Sequence, residues 1–166
     1  MVEFMGDVLV GLAVLVFYVY PLLTGVGAWL TRQEALNKGL ITSLIGGFVG
    51  LAFAIEITGN PANTTGIAFA GFASILMAAT ALLSARVLKT NNALSVTLHM
   101  HISAAALFIM VSLAFWELNL PQTTQGWVGY IAVPVFYTIA ISAFFAGISL
   151  IGAVRASLVM NLEPVG

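Results

Sequence analysis

The sequence predicts an all-α integral membrane bundle of five transmembrane helices, and three observations support this. Of the 166 residues, 61% are hydrophobic and only 7% are charged. The mean hydropathy is +1.09. Soluble domains carry about 25% charged residues, so a soluble fold of this length could not cover its surface with polar groups. The apolar residues fall in long runs without the alternation of a barrel strand. We therefore expect a multi-pass protein of the cell membrane, with the lipid bilayer as its solvent.

Each apolar run is long enough to cross the bilayer as a helix, which takes about 20 residues. Helices are expected because lipid offers no partner for unpaired backbone groups. Short polar or proline-containing breaks, such as Gly59, Asn60 and Pro61, separate the runs. We find no internal repeat and no linker, so residues 1–166 are predicted to form one transmembrane domain. Its helices are predicted at 8–30, 39–58, 65–88, 95–118 and 127–154.

The charged residues predict the orientation of the bundle. Basic residues occur only in the first loop, around the third loop and after the fifth helix: Arg32, Lys38, Arg86, Lys89 and Arg155. Because loops alternate between the two sides of the membrane, all of them fall on one side. The positive-inside rule assigns that side to the cytoplasm. The N-terminus is therefore expected outside and the C-terminus in the cytoplasm.

The only two histidines, His99 and His101, lie near the cytoplasmic end of the fourth helix. An ionisable residue inside a membrane suggests a functional site. Successive helical residues turn by about 100°, so the two side chains diverge by about 200° and cannot ligate one metal from a regular helix. They could serve two separate sites, or be neutral and hydrogen-bonded near the interface. His101 lies about 3 Å deeper than His99, so we expect His101 to have the internal partner.

The fourth helix resembles one helix of haem-copper oxidase subunit one and its small membrane relatives at His99, Met100, His101, Ile102, Met110, Trp116, Leu118 and Pro121. In that family a His-x-His pair ligates two haem irons on opposite faces of the helix. The resemblance implies that His99 and His101 bind a cofactor, with haem as the candidate. The chain has no other histidine, so it lacks the family's copper ligands and could not reduce oxygen alone. A haem would need Met77, Met110 or a histidine of another chain as its second ligand.

Glu56 and Glu117 form a second candidate, a polar or ion site near the outer ends of the second and fourth helices. Two carboxylates that meet at the outer surface could bind a cation or pass protons. Alternatively, each carboxylate is simply solvated at the level of the lipid headgroups. The sequence does not identify a metal for either candidate site.

These observations lead to three hypotheses of function. The preferred one is a structural or haem-assisting, non-catalytic subunit of a larger respiratory or redox-linked complex, with other membrane subunits as partners. Gly46 and Gly50 give a helix face suited to docking, and the catalytic motifs of common enzymes are absent. One alternative is a small haem-binding electron carrier that acts as a homodimer. The other is a small channel or carrier with Glu56 and Glu117 at its outer mouth. The net charge of −1 gives no indication of a nucleic-acid partner.

Overall fold

The computed structural model describes residues 11–54, 64–115 and 120–161, and this part of the chain is helical without any β-strand. The predicted all-α class is therefore confirmed. The helices are α1 (Tyr20–Leu30), α2 (Lys38–Ala54), α3 (Thr64–Val87), α4 (Ala93–Phe115), α5 (Thr124–Ile151) and α6 (Ala153–Met160). Of these, α2, α3 and α4 begin one or two residues before their predicted starts, and α3 ends one residue before its predicted end.

Four helical segments of the described chain are long and apolar enough to cross a membrane: Gly11–Leu30, Thr64–Val87, Ala93–Phe115 and Thr124–Ile151. The remaining candidate, α2, has 17 residues. At 1.5 Å per residue it is about 26 Å long, slightly less than the ~30 Å hydrocarbon core. The described chain thus has four candidate spans and one shorter apolar helix, and the predicted count of five spanning helices stays a prediction.

The first span contains a local break just before α1. Residues 11–17 are helical, residues 18 and 19 form a turn, and α1 then begins at Tyr20 with Pro21 in its first turn. Pro21 has no N–H to donate to the carbonyl four residues earlier, so the regular hydrogen-bond pattern cannot continue through it. The backbone tightens here, with Val19 N donating to Val16 O at 3.3 Å.

Polar side chains mark the starts of three helices. Asn37 Oδ1 accepts a hydrogen bond from Leu40 N at 2.8 Å at the beginning of α2. Before α5, Thr123 Oγ1 accepts from Gly126 N at 3.0 Å. Asn92 Oδ1 likewise accepts from a backbone N–H in the first turn of α4, at 2.8 Å. Each bond satisfies a donor that the helix itself leaves unpaired, so these polar breaks fix where the helices begin.

The predicted fifth helix, 127–154, is two helices in the structure. The chain breaks at Gly152, which has φ +89° and ψ 165°. This conformation is essentially restricted to glycine because a Cβ atom would clash with the backbone. The apolar character continues through Ile151, Ala153 and Val154, so the hydropathy pattern gives no sign of the break.

The short helix α6 lies inside the bundle. Ala153, Val154, Ala156 and Ser157 are buried, and α6 packs against α1, α2, α3 and α5. Its residues contribute to all three apolar clusters of the described core: Ala153 packs with Phe145, Val154 with Leu44, and Met160 with Tyr20. The helix therefore joins the other elements into one core.

The outer faces of the long helices are strongly apolar and exposed. Phe53, Phe69, Phe115 and Phe136 each expose 70% or more of their surface. Such faces are stable only in contact with lipid or with other apolar helices. Gly46 and Gly50 also face outwards, with no atom within 4 Å of a Cβ placed at either position. Contact with the lipid bilayer follows directly from this surface.

Candidate functional site

Two neighbouring cavities open between α3, α4 and α5. The first, called the vestibule here, is about 540 Å³ and lies at the α3–α4 loop. Residues of α3, of that loop and of the first two turns of α4 line it: Thr80, Leu83, Ser84, Val87, Asn91, Ser95, Val96, His99 and Met100. Five of these side chains carry hydrogen-bonding groups, and none of the described lining residues is Asp, Glu, Lys or Arg.

The second cavity, called the chamber here, is about 250 Å³ and lies deeper in the bundle. It is lined by Met77, Thr80, Met100, His101, Ala104, Tyr137, Ile141, Phe144 and Phe145. Most of these side chains are aromatic, aliphatic or thioether groups. Small Ala104 leaves space on α4, while Phe144 and Phe145 are part of the buried core. The chamber is thus mainly apolar.

Thr80 and Met100 line both cavities and lie on the boundary between them. The Thr80 hydroxyl donates to Leu76 O at 2.9 Å, within its own helix. Met100 is 41% exposed, and its unbranched side chain has three rotatable bonds. A movement of the Met100 side chain would therefore change the size of the opening between the vestibule and the chamber.

The two histidines line different cavities. His99 is exposed and lines the vestibule, whereas His101 is half-buried and lines the chamber. Helical geometry explains the separation, because side chains two positions apart point in nearly opposite directions. The His101 ring lies beside the Tyr137 ring, with 6.3 Å between the ring centroids.

Each histidine uses one ring nitrogen on its own helix. The Nδ1 atom of His99 is 2.7 Å from Ser95 O, and that of His101 is 2.8 Å from Thr97 O. A carbonyl oxygen can only accept, so Nδ1 carries a proton in each ring, and Nε2 is the nitrogen left for another partner. The Nε2 atom of His101 is buried and has no hydrogen-bond partner among the described residues. A buried polar atom of this kind is costly to leave unpaired.

A third group of interest is Glu34, which lies between α1 and α2 and was not selected from the sequence as a site residue. Its carboxylate lies at the start of α6, where Val154 N donates to Oε1 at 3.3 Å. A negative charge is favourable at a helix N-terminus because the first N–H groups are unpaired there. A Cβ atom at Gly152 would be 2.8 Å from Glu34 Cδ. Glu34 thus holds the break between α5 and α6 and does not face either cavity.

The candidate pair Glu56 and Glu117 lies outside the residues that the structure describes. Their proximity at an outer mouth stays a sequence-based prediction. Among the residues that are described, no group of three or more His, Cys, Asp or Glu side chains lies close enough together to hold a metal ion.

The architecture defines a class first: a multi-pass helical membrane protein with cavities between its helices. Residues 64–166 match the model of the EamA-like transporter family. The match covers more than half of the chain, including α3 to α6 and both cavities, and the chain belongs to this family. No curated protein matches the chain, and no solved structure matches it either.

This family assignment corrects the expectation drawn from the His-x-His helix. The resemblance to haem-copper oxidase subunit one is wrong, because the helix that carries His99 and His101 lies within the matched region. The associated expectations of haem, electron transport and a respiratory complex are wrong for the same reason. The motif is short, and each ring satisfies its Nδ1 by binding the carbonyl four residues earlier. The His-x-His spacing therefore reflects a helix that borders two cavities, and it does not indicate haem.

Proposed function

We propose that this protein moves a solute across the membrane along a path through the vestibule and the chamber. The observation that carries the proposal is the position of the two cavities: they adjoin at Thr80 and Met100 and lie within the region matched by a transporter family. Ligand sites in helical bundles are commonly built between facing helices. Of the hypotheses drawn from the sequence, the small channel or carrier agrees best with this arrangement.

The contacts between loops support the orientation expected from the charges. With its amide placed so that both polar atoms are satisfied, Gln33 accepts from Arg86 Nε at 3.3 Å. Glu34 of the same loop binds Val154 N at the α5–α6 junction. These contacts bring the basic segments to one end of the bundle. We infer that this end is cytoplasmic, so the vestibule opens towards the cytoplasm.

On this proposal, His99 and His101 belong to the solute path as hydrogen-bonding groups. His99 contributes its Nε2 atom to the vestibule, and His101 is positioned at the wall of the chamber. Their role is to contact solute or water, which follows from the cavities that they line and from the Nδ1 bonds that orient both rings.

Cysteine labelling tests the path, because the chain contains no cysteine of its own. Single cysteines are introduced by Ser95→Cys in the vestibule and Ala104→Cys in the chamber, and the protein is treated in membranes with a membrane-impermeant thiol reagent. Thiols react as thiolates, which form only where water is present. We expect Ser95→Cys to react quickly and Ala104→Cys more slowly, both from the cytoplasmic side.

Two positions serve as matched controls for this experiment. Met110 lies on α4, and its apolar side chain is 62% exposed. Met110→Cys is therefore expected to face lipid and remain unreactive. Thr90→Cys in the α3–α4 loop is expected to react fully. If the cysteines at positions 95 and 104 were as inert as the one at 110, the cavities would not be part of an aqueous path and the proposal would fail.

A further inference from the structure

The cavities also restrict the chemical nature of the solute, provided that they are the transport path proposed above. Among the described residues, neither cavity is lined by an Asp, Glu, Lys or Arg side chain. Moving an ion out of water is costly unless an opposite charge or a dense set of hydrogen bonds replaces its hydration. The described walls hold no carboxylate, ammonium or guanidinium group, so an ionic solute would lose hydration with little compensation. An uncharged solute would not incur this loss.

The vestibule offers hydrogen-bonding groups with unused capacity. Asn91 donates through Nδ2 to Val87 O at 3.0 Å, which leaves its Oδ1 atom as an acceptor. The Nε2 atom of His99 and the Ser95 hydroxyl have no hydrogen-bond partner among the described residues. Together these groups can donate to and accept from a hydroxyl or amide, which are the neutral polar groups of small organic molecules.

The chamber has the opposite character. Met77, Ile141, Phe144 and Phe145 present apolar surface, and aromatic walls of this kind pack well against a ring. An apolar protein cavity of about 150 Å³ is known to accommodate benzene. The chamber, at about 250 Å³, is therefore large enough for a substituted ring or a branched chain. It is too small for a large drug-like molecule unless the helices separate.

We infer that this protein binds a small, uncharged, amphipathic solute, with its hydroxyl or amide group in the vestibule and its apolar group in the chamber. Met100 and Thr80 lie where the two parts of such a molecule join. The flexible Met100 side chain can adjust to the width of the solute, while the Thr80 oxygen can accept one more hydrogen bond. Membership of the family does not specify the polarity or the charge of the ligand, whereas the linings of the two cavities do.

A series of probes with one ring and different end groups tests this inference. The full chain in lipid nanodiscs is titrated with labelled 2-phenylethanol, and 2-phenylethylammonium, phenylacetate and ethylbenzene are used as competitors. We expect saturable binding of the alcohol and competition at least about tenfold weaker by either ion. Ethylbenzene should compete roughly fivefold less well than the alcohol, since it keeps the ring but loses the hydrogen bond.

Two alanines on α4 provide a matched pair of variants. Both residues are exposed, but Ala104 lines the chamber and the neighbouring Ala105 lines neither cavity. Ala104→Phe should fill the chamber and weaken binding of 2-phenylethanol by about tenfold or more. Ala105→Phe adds the same ring to the same helix and should leave binding unchanged.

Three outcomes would overturn the inference: equal or tighter binding of an ion, no saturable binding of 2-phenylethanol up to about 10 mM, or equal effects of the two phenylalanine variants. The comparison of charged and neutral probes uses the unmodified chain, so it remains decisive even if Ala104→Phe fails to fold. Reactive cysteines at positions 95 and 104 together with preferred binding of an ion would refute the inference and leave the proposed path intact. Inert cysteines would refute the path itself.

Discussion

Replacing Gly152 by alanine should destabilise the bundle strongly, because two independent penalties meet at this residue. The backbone conformation, φ +89° and ψ 165°, costs a non-glycine residue about 1–3 kcal/mol. The new Cβ would also lie 2.8 Å from Glu34 Cδ and 3.0 Å from Oε2, so the carboxylate must move away from the start of α6. Its interaction with the helix N-terminus is worth about 0.3–1 kcal/mol. We expect a total loss of about 1–4 kcal/mol.

The free energy of unfolding can be measured in mixed micelles by the fluorescence of the three tryptophans. Gly129→Ala is the control, because Gly129 lies in α5 and a Cβ added there would meet nothing within 4 Å. Alanine at this position should be neutral or stabilising by up to about 1 kcal/mol. Repeating Gly152→Ala in a Glu34→Ala background separates the two penalties, since only the backbone strain then remains. A loss below about 0.5 kcal/mol for Gly152→Ala would show that the break is not held as described.

Two further predictions concern packing and orientation. Gly27→Leu should destabilise the protein by several kcal/mol, because a Cβ at Gly27 already meets the Leu82 side chain of α3 and a larger group forces the helices apart. Gly46→Leu should leave the unfolding free energy nearly unchanged, since this position has open space around it. Equal effects of the two substitutions in the same unfolding assay would contradict the packing of α1 on α3. For the orientation, Thr90→Cys should be labelled from the cytoplasmic side and Gln122→Cys, in the α4–α5 loop, from the external side. Labelling of both from the same side would refute the topology.

The sequence was a reliable guide to the long helices, for a clear physical reason. A segment that crosses lipid must be apolar over its whole length and must satisfy its backbone internally. Both requirements are visible in the sequence alone, so the ends of α3 agree with the prediction within one residue. The starts of α2, α4 and α5 also coincide with polar residues that accept from free N–H groups, such as Asn37 and Thr123.

The position of α6 could not be predicted, because the break at Gly152 depends on a contact with a distant part of the chain. Glu34 and Val154 are 120 residues apart in sequence, and nothing in hydropathy relates them. A glycine followed closely by Arg155 was the available sign that a helix could end there. Glycine is common within membrane helices, however, so this sign alone does not distinguish a break from a continuous helix.

The sequence directed attention to the two histidines as ionisable residues inside a membrane. They line two cavities in the structure, and their functional role stays a prediction. The haem interpretation was wrong because His-x-His records only the spacing of two residues and not what surrounds them. The contributions of Thr80 and Ser95 were missed, since apolar residues surround α3 and α4 and no amphipathic pattern indicates which face borders a cavity.

The burial of α6 has a consequence for the order in which the protein is assembled. The helices that enclose it, α1, α2, α3 and α5, all precede it in the chain, so each leaves the ribosome earlier. Until residues 153–160 are synthesised, the surfaces of Ala28, Leu44 and Phe145 that they cover have no native partner. The nascent bundle must therefore remain open on one side, and its final compaction coincides with the insertion of its last described helix.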